Sequence, residues 1–255
     1  MPEPTYRAGN VTEAYQLMWS YALFWHRPPA DFIWFEPLQA ATEPDDIRLL
    51  NHRFQSPNVS QFLISTTPAV PPLRIAQRVK GRLQHLLTDR PDAFRRNYSL
   101  RSLGSTKRDK VEAYVASQLG HHPLADSRIA ARFEEYQISD PAVDLSQPQK
   151  TTHAQYWYNL HLVFVMRDRA RHVQEDTLDA IYSMIVRSSA TKAYCLSRAG
   201  ILPDHIHLAV GCGLSESPQA IALSYMNNLA FATGVPLFDP GYWVGTFGEY
   251  DLGAV

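Results

Sequence analysis

Two short stretches of this 255-residue chain carry residue types from which a reactive centre can be built. In Pro203-Asp204-His205-Ile206-His207-Leu208-Ala209-Val210 the two histidines are one residue apart. Side chains repeat every second residue in a strand, so both imidazoles share a face, with Cα atoms roughly 7 Å apart. Two imidazoles so placed can converge on one divalent metal, while Ile206 and Leu208 face the other way and pack under a helix. A plain pair of polar residues on the open face of a half-buried strand has the same pattern. Asp204 can orient a histidine or cap the turn into the strand. The second stretch runs from Ser105 to Gly120 and sets Tyr114 four residues before Gln118. Thr106 and Asp109 predict a helix start and Gly120 a stop. Val111, Val115 and Leu119 then form the apolar stripe, with Tyr114 and Gln118 together along its edge. A tyrosine hydroxyl ordinarily ionises near pH 10, so as a nucleophile it needs an electrophile made more reactive. A core tyrosine with its hydroxyl at the surface, beside an ordinary glutamine, fits the spacing equally well.

The elements that hold these residues repeat along the chain. Pro57–Leu83 lines up with Pro203–Leu229 at a shift of 146, and NYSLRSLG from Asn97 with GYWVGTFG from Gly241 at 144, pairing Gly104 with Gly248. The aromatic runs from Ala14 and Gln155 match at 141. Three blocks in one order predict two copies of one small domain. In the second copy, Tyr156–Val165, Ala193–Leu196, His205–Val210 and Tyr242–Phe247 read as strands. Leu178, Ile181, Tyr182 and Ile185 mark one helix, and Ser217-Pro218 opens another. The order β-α-β-β-α-β predicts an α+β fold of two tandem ferredoxin-like (RRM-like) domains, each an antiparallel sheet with helices on one face. The expected boundaries are 8–122 for the first domain, 123–152 for a proline-marked linker and 153–255 for the second.

PDHIHLAV, the proline-led helix after it, the GYWVGTFG strand and the helix with Tyr-x-x-x-Gln together resemble the single-tyrosine HUH transposases of the insertion-sequence 200/605 kind and their repeat-associated relatives. The resemblance covers nearly the whole chain, twice over. It implies that His205, His207 and Gln118 hold a divalent metal, Mg2+ or Mn2+, and that Tyr114 cuts single-stranded, hairpin-forming DNA. The implied product is a 5'-phosphotyrosine with a free 3'-hydroxyl that can later rejoin strands. In that family a homodimer lets the tyrosine helix of one subunit serve the histidines of the other. Here Val59 and Gln61 stand where the histidines of the first copy would be, and the counterpart of Tyr114 would fall at position 258, past Val255. Each copy lacks what the other keeps. A fused pseudo-dimer with one composite active site is the expectation, as a monomer or as a homodimer. Tyr250 is the other nucleophile candidate.

Composition narrows the alternatives. With 45% apolar and 19% charged residues the chain is globular, and only Cys195 and Cys212 occur, which excludes a disulfide scaffold and a cysteine-rich zinc site. No leader or membrane-spanning pattern is present in the sequence, so a cytoplasmic protein is expected. Between Pro71 and Lys110 lie 11 basic and 3 acidic residues, whereas no Lys or Arg follows Arg198. Arg74, Arg78, Lys80 and Arg82, replaced by Ala220, Ser224, Met226 and Asn228 in the other copy, are the expected DNA contacts together with Arg101. Two other classes remain: a domesticated DNA-binding protein that does not cut, and a His-x-His phosphoesterase of small nucleotides.

Overall fold

The computed structural model describes residues 3–29, 31–90, 92–121 and 126–250. The last residue of the first expected domain, 122, the start of the expected linker, 123–125, and residues 251–255 lie outside the described residues. The first half contains β1 (Thr12–Gln16), β2 (Met18–Trp25), α1 (Phe35–Thr42), β3 (Ile47–Ser56), β4 (Val59–Thr66), α2 (Pro72–Leu86) and β5 (Phe94–Leu103). Next come α3 (Arg108–Ala116), α4 (Gln118–His121), α5 (Ser127–Glu135), β6 (Ile138–Ser139) and β7 (Gln149–Lys150). The second half contains β8 (Ala154–Trp157), β9 (Asn159–Val165), α6 (Glu175–Thr191), β10 (Cys195–Ile201), β11 (His205–Gly211), α7 (Pro218–Thr233) and β12 (Gly241–Phe247). The α+β expectation holds, with two six-stranded sheets.

Read from matching edges, the sheets have one plan: β8-β5-β2-β4-β3 in the first and β1-β12-β9-β11-β10 in the second, with β7 and β6 added at opposite ends. Along β4 the even-numbered residues are buried and the odd-numbered ones half-buried, the signature of a strand covered on one face. Helices cover that face. On α2 the buried residues Ile75, Ala76, Val79 and Leu83 recur at helical spacing, and on α7 Ile221, Ala222, Tyr225 and Leu229 do the same.

The reading of each aromatic run as one continuous strand needs correction. Each run is broken by one fully buried residue, Leu17 or Tyr158, and the two pieces serve different sheets. β1 pairs in parallel with β12, and β8 pairs in parallel with β5. The halves therefore exchange an edge strand reciprocally. Apolar patterning reports burial and not the identity of the pairing partner, so a continuous run concealed the crossover. The linker is also more ordered than its prolines suggest. Asp126 caps α5, Phe133 is fully buried, the Tyr136 hydroxyl donates to Asp179 at 2.8 Å, and β6 pairs with β10. A single amphipathic turn and a half, Ile129 to Phe133, was too short to stand out.

Between the sheets, the ends of β5 and β12 run against each other. The Ser102 hydroxyl donates to the Phe247 carbonyl at 2.6 Å. A Cβ at Gly104 would lie 2.7 Å from the Thr246 carbonyl oxygen, and one at Gly248 would collide with the Ser102 carbonyl. Both glycines are required by close backbone approach. By contrast, Gly81 in α2 has open space around it. We expect Gly248→Ala or Gly104→Ala to lower stability by roughly 1–3 kcal/mol through overpacking. Gly81→Ala should raise it by up to about 1 kcal/mol. Urea unfolding of the three variants checks this; equal effects at Gly248 and Gly81 would contradict the crossing geometry.

Candidate active site

The crossing at Gly104 and Gly248 determines where the next element goes. After β5 the chain passes onto the second sheet, where Lys107 bridges to Gly248 and the Arg108 amide donates to the Gly248 carbonyl at 2.7 Å. The helix begins there, with Lys107 as its cap residue in extended conformation and no side-chain cap, in place of the expected Thr106–Asp109 start. It also breaks at Ser117 and not at Gly120, so Gln118 opens a separate short turn, α4. Val111 and Val115 pack with Ala209 of β11 and Phe247 of β12. The buried Glu112 accepts hydrogen bonds from Arg108, at 2.5 Å, and from the Ser197 hydroxyl of β10. With α3 on one face and α6 and α7 on the other, all seven residues of β11 are buried.

One residue of β10 lets the helix sit this low. Gly200 is the cross-strand partner of His207, and a Cβ there would lie 2.9 Å from the Val115 carbonyl oxygen and 3.4 Å from Cβ of Gln118. The missing side chain is the seat for the end of α3 and for Gln118.

The structure brings together Tyr114, Gln118, His205 and His207. The rings of His205 and His207 are 5.0 Å apart, and the Tyr114 ring lies edge-on to His207 at 5.7 Å. Both imidazoles are buried, whereas Tyr114 is about half exposed, so a macromolecule can reach the phenol. His205 shares a 2.7 Å hydrogen bond through Nδ1 with Asp204. Burial opposes ionisation of Asp204, but the hydrogen bond and charge of His205, with Arg169, hold its carboxyl below the usual range. This bond holds the ring in orientation. Gln118 donates through Nε2 to the Tyr114 carbonyl at 2.9 Å, which orients the carboxamide.

One residue escaped the sequence reading. His161 of β9 lies beside His207, Nε2 to Nδ1 at 3.0 Å, with one ring donating its N–H to the other. It is also 6.1 Å from the Tyr114 ring and 5.0 Å from that of Trp243. Burial pushes the His161 imidazole down to about 4, so it is neutral at pH 7. The available signal was a histidine in an otherwise largely apolar strand, two residues after Asn159, at the period-two position facing away from the helices. A cleft of about 430 Å³ opens beside Tyr114, lined by His161, Trp243 and Phe247 and carrying one cation, Lys110.

Among the described residues, no three His, Cys, Asp or Glu side chains converge as a metal site. A divalent ion here would rest on His205, His207 and the Gln118 carboxamide, two imidazole nitrogens with one amide oxygen. The Gly200 seat beside His207 gives Gln118 access to that pair, and the mixed nitrogen and oxygen set suits Mn2+ or Mg2+.

The other expected residues lie elsewhere. Tyr250 stands 5.5 Å from the Arg101 guanidinium over the open face of the first sheet. On α2, Arg78 and Arg82 both pair with Asp45, at 3.4 and 3.1 Å, and Lys80 donates to the Arg95 carbonyl at 2.5 Å. Arg74 is exposed, with no ion pair among the described residues.

No protein-family model and no curated protein matches the chain. Among solved structures it is similar to a REP-associated tyrosine transposase bound to a REP hairpin, at 12% sequence identity and a TM-score of 0.32. The match covers 36% of this chain and 58% of that protein. No helix among the described residues is long and apolar enough to cross a membrane.

A partly buried, neutral histidine makes stability depend on pH. Between the unfolded value near 6.5 and the folded value of about 4, the unfolded chain binds a proton that folded His161 does not, so stability falls as pH drops through that window. We expect His161→Gln to flatten the slope of metal-free stability by about one proton there. Denaturant unfolding from pH 4 to 7 with a chelator present measures it, and an unchanged slope would show that His161 is charged in the folded state.

Proposed function

We propose that the protein is a metal-dependent nuclease and strand transferase of single-stranded DNA, of the single-tyrosine HUH type, with one composite active site. The two halves descend on this reading from a duplicated domain and act as a fused pseudo-dimer. What carries the proposal is the passage of the tyrosine helix from the first half onto the second sheet, with the Tyr114 ring 5.7 Å from that of His207. Sequence alone left roughly ninety residues between these groups. The shared strand plan of the two sheets and their reciprocal strand exchange support the pseudo-dimer.

In this reading His205, His207 and Gln118 bind a divalent ion, and Asp204 and His161 hold the two imidazoles in orientation. When bound, the ion draws electron density from a non-bridging phosphate oxygen and makes phosphorus more electrophilic. Tyr114 supplies the nucleophile. Its Oη forms a bond to phosphorus as the bond to the 3'-oxygen breaks, the phenolic proton passes to solvent, and the departing oxygen gains a proton. A 5'-phosphotyrosine and a free 3'-hydroxyl remain. The reverse step rejoins strands with no external energy source, because the number of phosphoester bonds is unchanged. The packed floor of α3 holds the phenol in place, which is where proximity enters. Lys110 faces the cleft as a point charge for the strand's backbone, and Trp243 offers a ring on which a base can stack.

Incubation with end-labelled hairpin DNA and Mn2+, followed by denaturing electrophoresis, tests the reading. We expect a covalent protein–DNA adduct that is abolished in Tyr114→Phe and reduced at least a hundredfold in His207→Ala, while both variants still bind DNA. Binding without any adduct in the wild type would point to a non-cutting DNA-binding protein. Persistence of the adduct in Tyr114→Phe with loss in Tyr250→Phe would transfer the nucleophile to Tyr250.

A further inference from the structure

The open face of the first sheet is the counterpart of the face that carries the histidines, and its chemistry has been exchanged residue for residue. His207 opposes Gly200 on one side and Val163 on the other; Gln61 opposes Arg53 and Ala22 in the same way. Ser20 takes the place of His161, and Arg101 the place of Gly245. The bond between the two histidines has its analogue too, since Gln61 donates through Nε2 to the Ser20 hydroxyl at 2.7 Å. Imidazoles have thus become neutral hydrogen-bonding groups, and two glycines have become arginines.

These changes prevent the face from receiving a helix as its counterpart does. Where Gly200 leaves a seat for α3, Arg53 fills the position and donates through Nε to Gln61 at 3.0 Å. A groove of about 460 Å³ remains, bounded by Arg53 and Gln55 at one side and by Arg101, Gln155 and Tyr250 at the other. No carboxylate lines it among the described residues. The Arg101 guanidinium lies 4.1 Å from the Trp157 ring, with Tyr250 on its other flank. Arg53 and Arg101 are three strand spacings apart across the sheet, about 14 Å, and staggered by two residues along it.

We propose that this groove is a second, non-catalytic binding site for single-stranded DNA, in which Arg53 and Arg101 hold backbone phosphates across the sheet. The choice of DNA as the phosphodiester rests on the nuclease reading above; the site's chemistry does not. A guanidinium matches two phosphate oxygens with a pair of parallel N–H donors. The carboxamides of Gln55 and Gln155 present both donors and acceptors, as base edges require, and the exposed Tyr250 ring offers a stacking surface. A single strand can lie flat on an open sheet and meet all of these groups at once. The site would hold one part of the strand while another part reaches Tyr114.

Fluorescence anisotropy with a 20-nucleotide single-stranded DNA lacking any hairpin, titrated from 50 to 200 mM NaCl, tests this. For Arg53→Gln with Arg101→Gln we expect affinity at least tenfold weaker and a log–log salt slope smaller by about 1.4, two phosphate contacts on single strands. The Arg53→Lys, Arg101→Lys pair should keep most of the slope. A control removing two cations of the second half, Arg171→Gln with Arg187→Gln, should change affinity less than threefold. An affinity of the glutamine pair within twofold of wild type, a loss no larger than the control's, or no binding by the wild type would overturn the proposal. If the glutamine pair does not fold, photo-crosslinking of wild type to 4-thiothymidine DNA decides, with cross-links confined to peptides outside β2, β3, β4, β5, β8 and Tyr250 overturning it. Arginine-dependent binding without an adduct would defeat the nuclease reading alone, and an adduct with arginine-independent binding would defeat this site alone.

Discussion

The close passage of β5 and β12 governs everything that follows in the chain. Two strands, one from each half, approach until the backbone of each excludes any side chain from the other, at Gly104 and Gly248. Because the strands meet there, the chain leaving β5 lands on the second sheet and not on its own. The Arg108 and Glu112 pair, tied to Gly248 and to Ser197, then holds α3 in place. A buried carboxylate satisfied by a guanidinium and a hydroxyl is costly to disrupt, since removing one partner strands the charge. Gly200 completes the seat by giving up its side chain beneath the end of the helix. Three glycines and one partly buried ion pair thus bring Tyr114 to the histidines.

Much of this could be read from the sequence, and the part that could not has a common physical cause. His205, His207, Tyr114 and Gln118 stood out because period-two and helical spacing are local, and local periodicity survives in a single sequence. The repeat even aligned Gly104 with Gly248. What sequence could not reveal is which partner each strand meets. Ala14–Arg27 and Gln155–Asp168 looked like single strands, yet Leu17 and Tyr158 divide them between sheets. His161 was missed for the same reason, since its importance lies in the cross-strand contact with His207. Charge counting had a similar limit. The basic run on α2 is real, but Asp45, thirty-odd residues upstream, pairs with both Arg78 and Arg82.

The two sheets share one strand plan and carry different side chains on matching faces. On the second sheet, glycines flank an imidazole cluster and admit a helix, so every residue of β11 is buried. On the first, arginines flank an amide and keep the face open, so β4 retains its half-buried alternation. The backbone plan is the same, and the difference lies in about five side chains. Chemistry borne by side chains on one backbone plan can differ between the two sheets without refolding either.

The strand exchange also sets a timetable for biosynthesis. As the chain leaves the ribosome, β5 emerges with one edge bare, and that edge stays unpaired until β8 is made some fifty residues later. α3 is synthesised early too, yet Ala209 and Phe247 beneath it come last. A nascent polypeptide therefore carries an unprotected edge for some fifty residues of synthesis and a helix without a floor for about half of its translation, the state in which chains aggregate or recruit chaperones. A truncated product that stops short of β12 lacks Phe247 and the Gly248 carbonyl, two of the groups that seat the helix carrying the phenol.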